Sequence, residues 1–137
     1  MAFEEANSPE FKLYAEQVVE NARILVDVLK KQGMRVFGSE NHLMVVDVGT
    51  GRGREVAILL EQAGIVVNAN TIPHDVNGPF KPSGIRLGTP ALTTRGMGVQ
   101  EMEIVGGWIA EAINNPDSVS RIKQEVEKLC DGFPILE

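Results

Sequence analysis

The chain has 137 residues, of which 43% are hydrophobic and 23% charged, with a formal net charge of -6 at pH 7. That is the size of one ordinary domain with enough apolar content for a core, and its acidic balance lacks the basic stripe that nucleic acid demands. No apolar run approaches the ~20 residues that span a bilayer, the start "MAFEEANSPEF" lacks a secretory pattern, and the lone Cys130 allows no internal disulfide, so a reducing cytoplasm is the expected setting.

Tyr14, Val18, Ala22, Leu25 and Leu29 recur at intervals of three and four, which predicts an amphipathic helix over about Glu10 to Gln32, stopped by Gly33. "MRVFG" reads as a short strand, Ser39-Glu40-Asn41 as a turn, and "HLMVVDV" as a second, well-covered strand able to pair antiparallel with the first. Glu55 to Gln62 carries a helical pattern closed by Gly64, and "IVVNAN" from Ile65 to Asn70 is a third strand. Thr71 to Ser83, with Pro73, Gly78, Pro79 and Pro82, is an extended loop. "GIRLGT" is a fourth short strand, and "PALTTRGMG" a turn-rich connection to a helix over Val99 to Asn114. Asn115-Pro116 opens a last helix with Val119, Ile122, Val126 and Leu129 on its apolar face. The order predicts an α+β fold: a sheet of about four strands with helices packed mainly on one face.

Several motifs compete for function. "VVDVGTGRG" places glycine at every second position between a strand and a helix, as in dinucleotide-binding turns, and Asp47 to Gly53 resembles the first motif of S-adenosylmethionine-dependent methyltransferases. The next strand, however, ends in Asn68 and Asn70 where a Rossmann unit has an acid, so a plain loop is the simpler reading. His42 and His74 lack metal-ligand spacing, Asp47 and Asp75 need not be paired, Ser83 has no nucleophile elbow around it, and the methionines read as packing residues. Arg86 stands out: a guanidinium in an apolar strand between Gly84 and Gly88 is either a structural ion pair or a clamp for a carboxylate or phosphate.

"PFKPSGIRLGTPALTTRGM", Pro79 to Met97, closely resembles a signature segment of serine (glycine) hydroxymethyltransferases, pyridoxal phosphate enzymes of fold type I that move a one-carbon unit between serine and tetrahydrofolate. "PEFKLYAEQVVENARIL", "ENHLMVVDV" and "AGIVVNANTIP" extend the likeness along nearly the whole chain. The resemblance implies that Arg86 holds the carboxylate of the amino-acid substrate, and that Asn70 approaches the folate. Gly78-Pro79-Phe80 borders it too, with Gly78 in place of a usual serine. Ser83, Gly84, Gly88, Thr89, Pro90, Thr93, Arg95 and Gly96 match the signature as structural residues, Thr93 and Arg95 by shaping the Arg86 strand. The glycine run is then a strand-to-helix turn.

The family's Schiff-base lysine lies in a Thr-His-Lys-type segment that precedes this region, and none of Lys12, Lys30, Lys31, Lys81, Lys123 or Lys128 has that context. Residues 1–137 therefore read as the C-terminal small domain, with 1–33 including the helix from a missing large domain and "AFEEA" resembling that helix's middle. No catalytic residue and no metal site is expected in it, and the chain alone is expected to be inactive. Serine, glycine and tetrahydrofolate are the implied ligands, and a homodimer the implied state of the complete enzyme. A non-catalytic module binding a partner or folate-like ligand, and an S-adenosylmethionine-binding domain, are the rival readings.

Overall fold

A computed structural model describes residues 8–38, 42–76 and 78–134; the "AFEEA" segment and the expected turn at Ser39-Glu40-Asn41 lie outside them. Helix α1, Pro9–Lys31, starts where Ser8 accepts a hydrogen bond from Phe11 N and Pro9 takes the first helical position. Strands β1, Arg35–Phe37, and β2, Leu43–Asp47, follow. Helix α2 spans Gly53–Gln62, β3 Asn68–Asn70, and β4 Gly84–Gly88. A short helix α3, Pro90–Thr94, precedes α4, Val99–Asn114; a 3-10 turn at Pro116–Ser118 then leads into α5, Val119–Gly132.

The sheet is antiparallel throughout, in the order β1-β2-β4-β3, so the fold is α+β with four strands. Alternation along each strand divides its residues between two faces. Val36, Met44, Val46, Ile85 and Leu87 point into a core completed by Leu25, Leu29, Val56, Leu60, Met102, Ile109 and Ile122 from the helices. The helices cover that face alone. The opposite face carries Arg35, Phe37, Leu43, Val45, Asp47, Asn68, Asn70, Gly84, Arg86 and Gly88, and none of these side chains belongs to the core cluster.

Four expectations change. The strand predicted over Ile65–Asn70 pairs only from Asn68, while Ile65 and Val67 pack against the core from outside the sheet. The connection "PALTTRGMG" contains the helix α3, favoured by Pro90 at its first turn. The last helix begins with a 3-10 turn before Val119. The β2 strand, expected to be well covered, is covered by the described helices on one face only: Leu43 remains 41% exposed. Apolar residues on both faces of a strand signal two covering layers, and the described residues supply one.

Candidate functional site

The open face of the sheet is where the predicted site residues meet. Register places Phe37, Val45, Arg86 and Asn68 in one row across the four strands, and Arg35, Asp47, Gly84 and Asn70 in the next. Arg86 is exposed, not buried in a covered strand as its apolar neighbours imply, because Ile85 and Leu87 face the core and Arg86 faces away. It makes no hydrogen bond or ion pair with the described residues, so none of the acids among them forms the structural ion pair considered for it.

Gly84, next but one to Arg86 in sequence, lets the sheet and the loop beyond β3 approach closely. A Cβ on Gly84 would come within 2.8 Å of Ile72 Cγ2, 2.9 Å of Val45 Cγ1 and 3.0 Å of the Asn70 carbonyl. Any side chain there would push against the sheet and the loop beyond β3. Beside Arg86 lies a shallow hollow of about 540 Å³ lined by Phe37, Leu43, Val45, Asn70, Ile72 and Arg86, among others. Asn70 is held in it by donating from Nδ2 to the Thr71 carbonyl at 2.8 Å. One cation, one amide and an apolar floor can bind a small carboxylate beside a planar or apolar group.

Not every predicted residue enters the hollow. Gly78, Pro79 and Phe80 lie outside its lining, with Phe80 89% exposed and Gly78 at φ 64°. His42 and His74 are both exposed. The signature residues after Arg86 instead tie helices together. Thr89 Oγ1 donates to the Val18 carbonyl at 2.8 Å and Thr93 Oγ1 to the Thr89 carbonyl at 2.8 Å. The Pro90 carbonyl accepts from Tyr14 Oη, and Gly96, at φ 93°, turns the chain after α3. Arg95 donates from Nε to the Phe133 carbonyl at 2.8 Å and from Nη2 to the Cys130 carbonyl at 3.3 Å. Thr93 thus ties α3 to Thr89, the residue directly after β4, and to α1 through Asn21, while Arg95 reaches the end of α5.

The glycine run is a strand-to-helix turn whose amides are engaged inside the protein. Gly49 N donates to Asp47 Oδ1, Gly51 N to Ser83 Oγ, and Gly53 N to the Pro82 carbonyl, at 2.9, 2.9 and 2.8 Å. Gly49 and Gly51 have positive φ, and a Cβ on Gly53 would stand 2.5 Å from the Gly84 carbonyl. A phosphate-cradling loop needs such amides free and aimed at the ligand; these three are not.

Two contributors escaped the sequence. Asp75 accepts from Ser83 N and Ser83 Oγ, both at 2.8 Å, and from Ile72 N at 3.3 Å, so it fastens the ends of the Pro-rich loop that borders the hollow. No sequence pattern pairs positions eight apart in a loop. Asn21 is fully buried in α1, and its position on the helix, between Val18 and Leu25, was the available signal.

The serine hydroxymethyltransferase family model matches residues 1–109. The chain belongs to the serine hydroxymethyltransferase family. It is 49% identical to the serine hydroxymethyltransferase of Koribacter versatilis (strain Ellin345) and 46% identical to that of Acidobacterium capsulatum, in each case over 98% of this chain and 33% of the relative. The chain thus spans about a third of the length of these serine hydroxymethyltransferases.

Proposed function

We propose that residues 1–137 act as the C-terminal small domain of a serine hydroxymethyltransferase, with 1–33 carrying the connection to a large domain. Arg86 takes the carboxylate of serine or glycine, and Asn70, with Gly78, Pro79 and Phe80 beyond the hollow's rim, borders tetrahydrofolate. The observation that carries this reading is Arg86 itself: an exposed guanidinium in a hollow, with no partner among the described residues. An arginine fork in that position grips a carboxylate through two parallel N–H donors, which fixes the orientation of the α-carbon as well as its distance.

Pyridoxal phosphate requires an amine to hold its aldehyde, and all six lysines of the chain are exposed and outside the hollow. The described residues do not build that site, and no step of the reaction is assigned to the cofactor on this chain. Its chemistry belongs to the large domain, as does the bond-breaking step, which leaves the chain alone inactive. In the complete enzyme, a cytoplasmic homodimer on this reading, the work of this chain is to bind, orient and enclose.

The test is reconstitution. The chain is mixed with a separately made large domain bearing the Schiff-base lysine, and serine cleavage with tetrahydrofolate is followed beside each part alone. Activity confined to the mixture is expected, with Arg86→Ala raising KM for serine about tenfold or more, the loss of a charge-assisted pair. Turnover by the chain alone, or an unchanged KM in Arg86→Ala, refutes the assignment.

A further inference from the structure

An arginine with no partner among the described residues, on an open sheet face, raises a question of chemistry: what holds the neighbouring acid of the sheet off it? The strand residues on that face include one carboxylate, Asp47. Asp47 stands two residues along β2 from Val45, the cross-strand partner of Arg86, and opposite Gly84, which has no side chain to separate them. Diagonal neighbours on one face of an antiparallel pair lie about 7–8 Å apart, within the span of a long side chain. An unrestrained Asp47 would therefore compete for Arg86 with any carboxylate from solution.

Asp47 is restrained on both oxygens. Its Oδ1 accepts from Gly49 N at 2.9 Å, across the start of the glycine turn, and its Oδ2 faces Arg35 Nη1 at 3.6 Å. Arg35 is directly opposite Asp47 on the other side of β2 from Arg86, and its guanidinium lies over the Phe37 ring, 5.2 Å from the centroid. The carboxylate is thus drawn toward β1 and toward the turn, away from β4. Its side chain is only 19% exposed, so water does little to weaken that competition.

We infer that Arg35 is a positioning residue that holds Asp47 away from Arg86 and so keeps the guanidinium available to an external carboxylate. The consequence for substrate binding rests on the proposed role of Arg86; the restraint of Asp47 does not.

The test uses the full chain and acetate as the probe, exchanged for chloride at constant ionic strength. The Arg86 Nε–H resonance is assigned by its loss in Arg86→Ala and followed by NMR in wild type, Arg35→Ala, Asp47→Asn and the double variant. Without acetate, the resonance in Arg35→Ala is expected to move to a paired position and to return in Arg35→Ala/Asp47→Asn. Half-saturation by acetate should rise about three- to fivefold in Arg35→Ala, the scale of a partly exposed ion pair. It should stay within about twofold of wild type in Asp47→Asn and in the double variant, and Arg35→Lys should restore the wild-type behaviour.

An unmoved Arg86 resonance in Arg35→Ala overturns the inference. So do additive effects, with Asp47→Asn lowering the midpoint by as much as Arg35→Ala raises it, because a through-space field would act on Arg86 without any release of Asp47. A resonance that moves with Arg35→Ala but never responds to acetate leaves the restraint standing and defeats the carboxylate role of Arg86 instead. In the reconstituted enzyme, Arg35→Ala should raise KM for serine with little change in kcat.

Discussion

The side-chain amide of Asn21 donates to Thr93 Oγ1 at 2.9 Å and to the Met97 carbonyl at 3.0 Å, fastening α1 to the segment that follows Arg86 in the signature. Gln17 Nε2 completes the set by donating to Asn21 Oδ1 at 2.7 Å. Each polar atom of this fully buried side chain is therefore partnered, which is the condition under which a core amide stabilises rather than costs. Asn21→Ala removes the donor to Thr93 and Met97 and leaves a gap beside them. A loss of about 2–3 kcal/mol is expected, seen as a lower denaturant midpoint at constant slope.

Two glycines in helices should respond to alanine with opposite signs. Gly53 opens α2 with its Cα against backbone, and an added Cβ would meet the Gly84 and Pro82 carbonyl oxygens at 2.5 and 2.7 Å. Gly107 in α4 has nothing within 4 Å of that position. Gly107→Ala is expected to raise stability by about 0.5–1 kcal/mol through helix propensity, and Gly53→Ala to lower it by about 2 kcal/mol or more despite the same propensity gain. Thermal unfolding of the two variants beside wild type decides it.

Asp75→Ala should loosen the Pro-rich loop. It removes the acceptor for Ser83 N, Ser83 Oγ and Ile72 N, and it frees the Ser83 hydroxyl that also receives Gly51 N. Faster hydrogen exchange is expected at Ser83, Ile72 and Gly51 together, with a stability loss of about 1–3 kcal/mol. Exchange confined to one of these amides would show that the loop and the glycine turn are fastened separately.

The Arg23 guanidinium, hydrogen-bonded to Glu20, holds its carboxyl below the ordinary carboxylate range. Folded Glu20 then binds fewer protons than the unfolded chain at mildly acidic pH. Its contribution to stability is complete above the ordinary carboxyl pKa and is lost as pH falls through the lowered value. NMR titration of Glu20 should show the depressed midpoint, moving back up in Arg23→Ala.

The architecture was legible where burial follows a simple period. Val18, Ala22, Leu25 and Leu29 mark the buried face of α1, and the α4 boundaries match the spacing read from Val99 to Asn114. Strand pairing was legible for β1 with β2, which a short connection joins. Legibility ended where a second layer was assumed. "HLMVVDV" looks well covered because apolar side chains occupy both faces, yet among the described residues only the face toward the helices is covered. The same assumption buried Arg86, whose position next to core residues says nothing about the direction of its own side chain. Asp75 and the Arg35–Asp47 pair were invisible for other reasons: Asp75 closes a loop whose path no local pattern encodes, and Arg35 meets Asp47 only through the β1–β2 register.

The outer strands of the sheet, Arg35–Phe37 and Asn68–Asn70, are each three residues long. So short a ribbon exposes few unpaired amides and carbonyls, and it makes a poor template for strand addition. Growth sideways into a larger sheet is therefore discouraged at both ends, while Phe37, Leu43 and Val45 remain open on the broad side. On the proposed small-domain role, a large domain would meet this molecule as a lid meets a tray, pressing down on its surface rather than extending its weave.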